Sequence, residues 1–297
     1  MSASRSGFVA VVGRPNVGKS TLVNALVGEK VSITSTKPQT TRNVIRGVMT
    51  VTDPPVQAVL VDTPGLHKPR TALGERLNSL VYGSLAEADL ILFVVDAKAK
   101  VGPGDRRVAE RVVASQTPVV CVVNKTDVAK AGLTAERLGE VAPFDFASYV
   151  PLSAATGEGV DVLREEIVAR LPEGPYYFPP EARSDQPEQL IAAEIIREKF
   201  LDRLHDELPH SLVVIVQDME TRPNGTLFIG AAAVVERDSQ KGIVIGKKGA
   251  LLSTAGADAR RELETLFGTT VFLDLRVRVE KDWQQRPEML DRLGFDA

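Results

Sequence analysis

Cysteine is all but missing from this 297-residue chain: Cys121 stands alone, inside the apolar run "PVVCVVN". A single thiol builds neither a disulfide framework nor a thiolate metal site within one chain, which fits a reducing cytoplasm. Positive charge is not in excess either. A net charge of −3 and a pI near 5.8 exclude a protein that coats nucleic acid through bulk charge, so any such contact must be local. Long apolar runs are absent too. The start, "MSASRSGFVAVVG", has no stretch of signal-peptide length, and nothing later is long enough to span a bilayer. The expected location is the cytoplasm, with peripheral contact at the inner face of the cell membrane as the one membrane role left open.

The length and an apolar share of 43% imply two domains. Up to Leu171, the runs "GFVAVVG", "VIRGVMTV", "VQAVLVD", "ADLILFVVDA", "TPVVCVVNK" and "SYVPLSA" alternate with helical patterns such as "VDVLREEIVARL". Nearly continuous Val/Ile/Leu strands predict an α/β domain over residues 1–172, a mostly parallel sheet with helices on both faces and its sites at the strands' C-terminal ends. The proline-rich stretch 173–187 reads as an inter-domain linker. Residues 188–297 then read helix, strand, the turn "RPNG", strand, the loop "IGKKGA" opening a helix, and a last strand, an α+β module.

"GRPNVGKS", residues 13–20, fits G-x-x-x-x-G-K-[ST] between a strand and a helix, the context a nucleotide-phosphate loop requires. Gly13, Arg14, Asn16, Val17 and Gly18 offer backbone N–H groups, with Pro15 shaping the loop between them, helped by the positive end of the helix dipole. Lys19 reaches the β- and γ-phosphates and Ser20 presents a hydroxyl to Mg²⁺. "NKTD", residues 124–127, selects the base. Asp127 can accept from the ring N–H and exocyclic amine of guanine, Asn124 can bond the opposite edge and tie neighbouring loops, and the Lys125 stem can cover the base face. In "LSA", Ser153 and Ala154 follow the last strand, where the Ala154 N–H could meet guanine O6. In "DTPG", Asp62 is placed to hold a Mg²⁺-bound water and Gly65 N–H to sense the γ-phosphate, with Thr63 and Pro64 between them. The hydroxyl-rich "STKPQTTRN" reads as a switch segment, ordered by Mg²⁺ and γ-phosphate and released after hydrolysis.

"GRPNVGKS", "QTTRN", "DTPGLH", "NKTD" and "LSA", in this order and spacing, resemble translation-associated small GTPases; with the second module, nearly the whole chain resembles the Era family. That resemblance implies a P-loop GTPase domain followed by a type II KH domain, slow Mg²⁺-dependent conversion of GTP to GDP, and Lys19, Thr41 and Gly65 as catalytic groups. Thr41 is then the switch ligand of Mg²⁺, beside Ser20 and Asp62, with Thr40 the alternative. Leu66 follows "DTPG" where many GTPases have a water-orienting glutamine. Two substitutes present themselves: His67 as a polariser of water, and the Asn16 amide oxygen as a holder of K⁺, as in potassium-stimulated relatives.

In the second module, Gly246 and Gly249 either turn the chain into a helix or, as in KH domains, let an RNA backbone approach, with Lys247 and Lys248 supplying charge and Ile245 beginning an apolar groove. Ile243 and Leu251 are candidates for that groove, and Arg260, Arg261, Arg276 and Arg278 for a longer basic track. The resemblance supplies the partner, small-subunit ribosomal RNA near its 3′ end, and the task, assembly of the small ribosomal subunit by a monomer. A metabolic phosphotransferase leaves "NKTD" unexplained; a protein- or membrane-docking role for the second module is the remaining alternative.

Overall fold

A computed structural model describes residues 4–295 apart from Pro38, His67, Lys68, Arg70, Asp206 and Glu207. The first half runs β1 (Arg5–Gly13), α1 (Lys19–Val27), β2 (Ile45–Val51), β3 (Val56–Asp62), α2 (Ala72–Ala86), β4 (Leu90–Asp96), α3 (Pro103–Ala114), β5 (Val119–Asn124), α4 (Leu133–Val141), β6 (Ser148–Leu152) and α5 (Val160–Arg170). The sheet order is β2-β3-β1-β4-β5-β6, parallel except for β2, which pairs antiparallel with β3 at the edge. Residues of β3 and β5 are buried throughout, because helices cover both faces and leave no side for polar alternation. One apolar cluster joins the sheet to α1 and α5, a second joins its other face to α2 and α3.

Cys121 lies in β5 with no exposed surface, and burial pushes its thiol up to about 12. In folded protein it is expected to resist thiol reagents at about pH 8, so that labelling follows unfolding. Rapid stoichiometric labelling of native protein would contradict this packing.

The stretch 173–187 is not a free tether. Gln57, fully buried on β3, accepts from the N–H groups of Tyr177 and Phe178 (2.8 and 2.9 Å) and donates to Phe178 O (2.9 Å). Farther on, Val48 N–H donates to Arg183 O (2.8 Å), Ser184 Oγ donates to Arg46 O (2.8 Å), and Gly47 and Ser184 form a β-bridge. The composition reading missed that an open edge strand needs a cover for its unpaired amides.

The second half runs α6 (Glu188–Leu201), α7 (Leu208–Ser211), β7 (Val213–Thr221), β8 (Leu227–Val235), α8 (Asp238–Ile245), α9 (Ala250–Phe267), β9 (Val271–Val279) and α10 (Pro287–Arg292). β8 pairs antiparallel with β7 and parallel with β9. Alternate residues of this sheet, among them Ile229, Ala231 and Val271, pack against α6 and α9. The chain does not finish at β9, where the sequence reading placed its last element. Trp283, Leu290, Leu293 and Phe295 fold back against β7, β8 and Leu73 and Leu77 of α2, and Arg76 bonds Asp291 (2.6 Å) and Phe295 O (2.6 Å). The nucleotide half and the module therefore share a core, formed on α2.

Candidate nucleotide site, switch segment and GKKG loop

Residues 13–18 connect a buried strand to a helix N-terminus, and packing demands the glycines. A Cβ on Gly13 would lie 2.4 Å from Val94 O; one on Gly18, where φ is +95°, would lie 2.3 Å from Asn124 Nδ2. Lys19 is buried, its Nζ donating to Arg14 O (3.2 Å). Burial pulls its ammonium down to about 8, with Asp62 acting in the opposite direction. Arg14 turns away: its guanidinium pairs with Asp105 of α3 (2.8 Å), so only its main chain remains for the loop. Val17 is buried in the core, and Asn16 Nδ2 donates to Thr36 O of the switch segment (2.7 Å).

The end of β3 brings the second set of groups in. Ser32 Oγ donates to Asp62 Oδ2 (2.7 Å), Ser20 and Thr41 hydroxyls are 2.9 Å apart, and Thr41 Oγ1 is 3.5 Å from Asp62 Oδ2. Asp62 Oδ1 is buried without a hydrogen-bond partner, and burial raises the carboxyl's pKa, against Lys19. The hard oxygen donors of Ser20, Thr41 and Asp62 converge around an unsatisfied carboxylate, a donor set of the chemistry that suits Mg²⁺. Thr40 does not join them: its hydroxyl donates to Lys37 O (2.7 Å). Thr63 Oγ1 donates to Val11 O (2.8 Å) and anchors the next turn. That turn presses on the phosphate loop, for a Cβ on Gly65 would lie 2.6 Å from Pro15 N, while Leu66 packs toward the core on the α2 side. His67 lies outside the described residues.

Asn124 is the tie between three loops. Its Nδ2 donates to Val17 O (2.9 Å) and its Oδ1 accepts from the N–H groups of Lys125 (2.8 Å) and Ala154 (3.0 Å). The Ala154 N–H, expected to meet guanine O6, is thus directed to Asn124, and the amide of Asn124 is spent on the loops. Lys125 crosses the phosphate loop to Asn16 O and Asp96 (2.7 Å). Ser153 is buried and caps its own turn, accepting from Thr156 N–H (3.2 Å). Asp127 is exposed in the turn after β5, with no partner for its carboxylate among the described residues.

The loop of the second module joins α8 to α9. Gly246 has φ +75°, and a Cβ there would lie 2.9 Å from Leu251 N; Lys248 (φ 52°) and Gly249 (φ +79°) are also left-handed. This bend turns Lys247 and Lys248 into solvent. Ile243 is 53% exposed and Ile245 half-buried beside it, whereas Leu251 packs on the module's core. The longer basic track fails at β9. Leu273, Leu275, Val277 and Val279 face α9, so strand alternation puts Arg276 and Arg278 on the opposite face, and Arg276 pairs with Asp274 (2.7 Å). Arg261 pairs with Asp258 on its own helix, and Arg260 alone remains exposed and unpaired among the described residues of that set on α9.

No local signal pointed to the contacts between the switch segment and the second module. Arg42, directly after Thr41, is 1% exposed and donates to the carbonyls of Pro209 (2.9 Å), His210 (2.7 Å) and Leu212 (2.7 Å), with its guanidinium 5.9 Å from the Trp283 ring. Arg197 of α6, held by Glu194 (2.7 Å), donates to Thr40 O; Glu198 accepts from Thr34 N–H (2.9 Å) and Lys30 (2.6 Å). Burial disfavours the charge on Arg42, and neighbouring Arg197 adds to this.

Fold and site together define a P-loop GTPase carrying a C-terminal KH domain. A family model described as "50S ribosome-binding GTPase" matches residues 8–125, and a KH domain model matches residues 207–284. GTPase Era of a Nocardioides species is 52% identical over 99% of this chain and 97% of its own length; that of Mycobacterium avium is 50% identical over 99% and 100%. A crystal structure of Era in complex with MgGDPNP and nucleotides 1506–1542 of 16S ribosomal RNA superposes with TM-score 0.94 at 38% identity, covering 99% of this chain and 100% of that one. An Aquifex aeolicus Era variant bound to GDP.AlF4- superposes with the same score, identity and coverage. The chain belongs to the Era family of GTPases.

Proposed function

We propose that this GTPase is a switch that holds small-subunit ribosomal RNA near its 3′ end through the GKKG loop, assists assembly of the small subunit, and lets go as GTP is hydrolysed. The observation that carries this reading is a peptide bond: Thr41, in the hydroxyl–carboxylate cluster of the nucleotide site, is joined to Arg42, which is buried against the second module. A change in one residue's position must move the other. The relative solved with both MgGDPNP and 16S ribosomal RNA supports the choice of partner. Footprinting of a 16S-type 3′ fragment, with protein loaded with a non-hydrolysable GTP analogue or with GDP, tests it; no protection in either state overturns it. Lys247→Ala and Lys248→Ala are each expected to flatten the salt dependence of RNA binding by roughly 0.7 in log–log slope without changing which sequence is preferred.

In the hydrolytic step, the N–H groups of the Gly13–Gly18 loop and the α1 N-terminus bind the phosphate oxygens, and Lys19 stabilises the charge that develops as the γ-phosphoryl group passes to water. Its buried ammonium, offset so far only by Asp62, gains a further counter-charge when phosphate arrives. Ser20, Thr41 and Asp62 would hold Mg²⁺, which when bound supplies positive charge to the β- and γ-phosphate oxygens. Gly65, in the turn set against Pro15, carries the N–H that we assign to the γ-phosphate. Leu66 cannot orient water, so turnover is slow. Asn16 ties the phosphate loop to the switch segment, and its amide oxygen is the group we assign to a K⁺ ion beside the phosphates. Hydrolysis is therefore expected to be faster in K⁺ than in Na⁺ for the wild type and equal in both for Asn16→Ala; equal wild-type rates would remove the cation.

A further inference from the structure

A groove between α2 and α3 is untouched by the chemistry above. Leu66 and Val108 lie low in it, Asn78 and Tyr82 line its α2 side, and Arg107 and Arg111 its α3 side. The Arg111 guanidinium sits over the Tyr82 ring at 4.7 Å, and that ring is 42% exposed. Arg107 and Arg111 are exposed, one helical turn apart, and neither has an ion pair among the described residues. Asp105, the nearest acid toward the start of α3, is buried and occupied by Arg14 (2.8 Å) and Gly102 N–H (2.9 Å). Among the described residues that line the groove there is no carboxylate.

We propose that this groove is a second contact for single-stranded RNA, on the GTPase domain rather than the KH domain. A half-exposed aromatic ring carrying a guanidinium is a stacking platform that accepts any base. The two arginines stand about 6 Å apart along the helix, on the scale of successive phosphates, and among the described residues no carboxylate competes for their donors. A protein partner would need an apolar pocket for an anchor side chain; here Val108 is buried and Leu66 half-buried. Leu66 also donates its N–H to Gly13 O (3.3 Å), so an RNA strand in this groove lies against a residue bonded to the phosphate loop.

The inference rests on the RNA-binding reading above, and one titration series separates the two. Affinity is measured against salt for a short RNA that fills the GKKG loop and for RNAs extended stepwise at either end, with wild type, Arg107→Ala/Arg111→Ala and Tyr82→Ala. For extended RNA, the double variant is expected to lose about 1.4 of the log–log salt slope and Tyr82→Ala about tenfold in affinity. Short RNA is expected to bind all three proteins alike, and Arg107→Lys/Arg111→Lys and Tyr82→Phe to retain extended binding. Extended RNAs that bind wild type and variants with equal affinity and slope would overturn the groove while leaving the GKKG site standing. Failure of wild type to bind the short RNA would instead remove the underlying reading.

Discussion

Arg42→Ala is expected to remove most of the dependence of RNA affinity on bound nucleotide and to lower the stability of the docked domains by about 3 kcal/mol. The carbonyls of Pro209, His210 and Leu212 lose the donor they share, in an interface where Arg42 is 1% exposed. The same buried cation is held at a desolvation penalty, since burial and Arg197 both disfavour its charge. Such a contact is made or broken as a whole, which suits a two-state element. Arg42→Lys, with a compact ammonium in place of a planar fork, should fall between alanine and wild type. The measurement is RNA affinity with a non-hydrolysable GTP analogue and with GDP, beside thermal unfolding. If the ratio of the two affinities departs from one in the wild type and survives intact in Arg42→Ala, this residue does not carry the coupling.

Asp127→Asn is expected to weaken GTP binding by roughly a hundredfold or more, through loss of two charge-assisted hydrogen bonds. A carboxylate accepts from both the ring N–H and the amine of guanine; a carboxamide offers one acceptor and turns a donor toward the amine. The same carboxamide matches a base with a ring N–H beside a carbonyl, so affinity for xanthosine triphosphate should rise as GTP affinity falls. Competition of the two nucleotides against a fluorescent analogue reads both changes. Undiminished GTP affinity would place the base elsewhere. Because the amide of Asn124 is committed to Val17, Lys125 and Ala154, changes there are expected to loosen all three loops instead of exchanging one base for another.

The chemistry of the nucleotide site was legible in sequence because each part is a short contiguous string whose residues act through their own backbone or a neighbouring side chain. "GRPNVGKS" sits at a strand end and helix start, and "GKKG" bends through Gly246 and Gly249, as local backbone rules require. The alternation of apolar runs likewise carried the parallel sheet and the α+β module. Tertiary structure decided what depends on partners distant in the chain. It placed the Thr41 hydroxyl beside Ser20 and the Thr40 hydroxyl against Lys37 O. Packing turned the proline-rich stretch into an edge cover and sent Arg276 and Arg278 to the wrong face of the sheet for the GKKG loop. Above all, Arg42 is a polar residue in a polar segment, and nothing local distinguishes it from a solvated one. Its burial exists only because α7 and Trp283, some 170 and 240 residues onward, present carbonyls and a ring to it. Sequence by itself marked the groups whose chemistry suits phosphate, guanine and an RNA backbone; folding alone decided that the segment around Arg42 and the KH domain are packed as one unit.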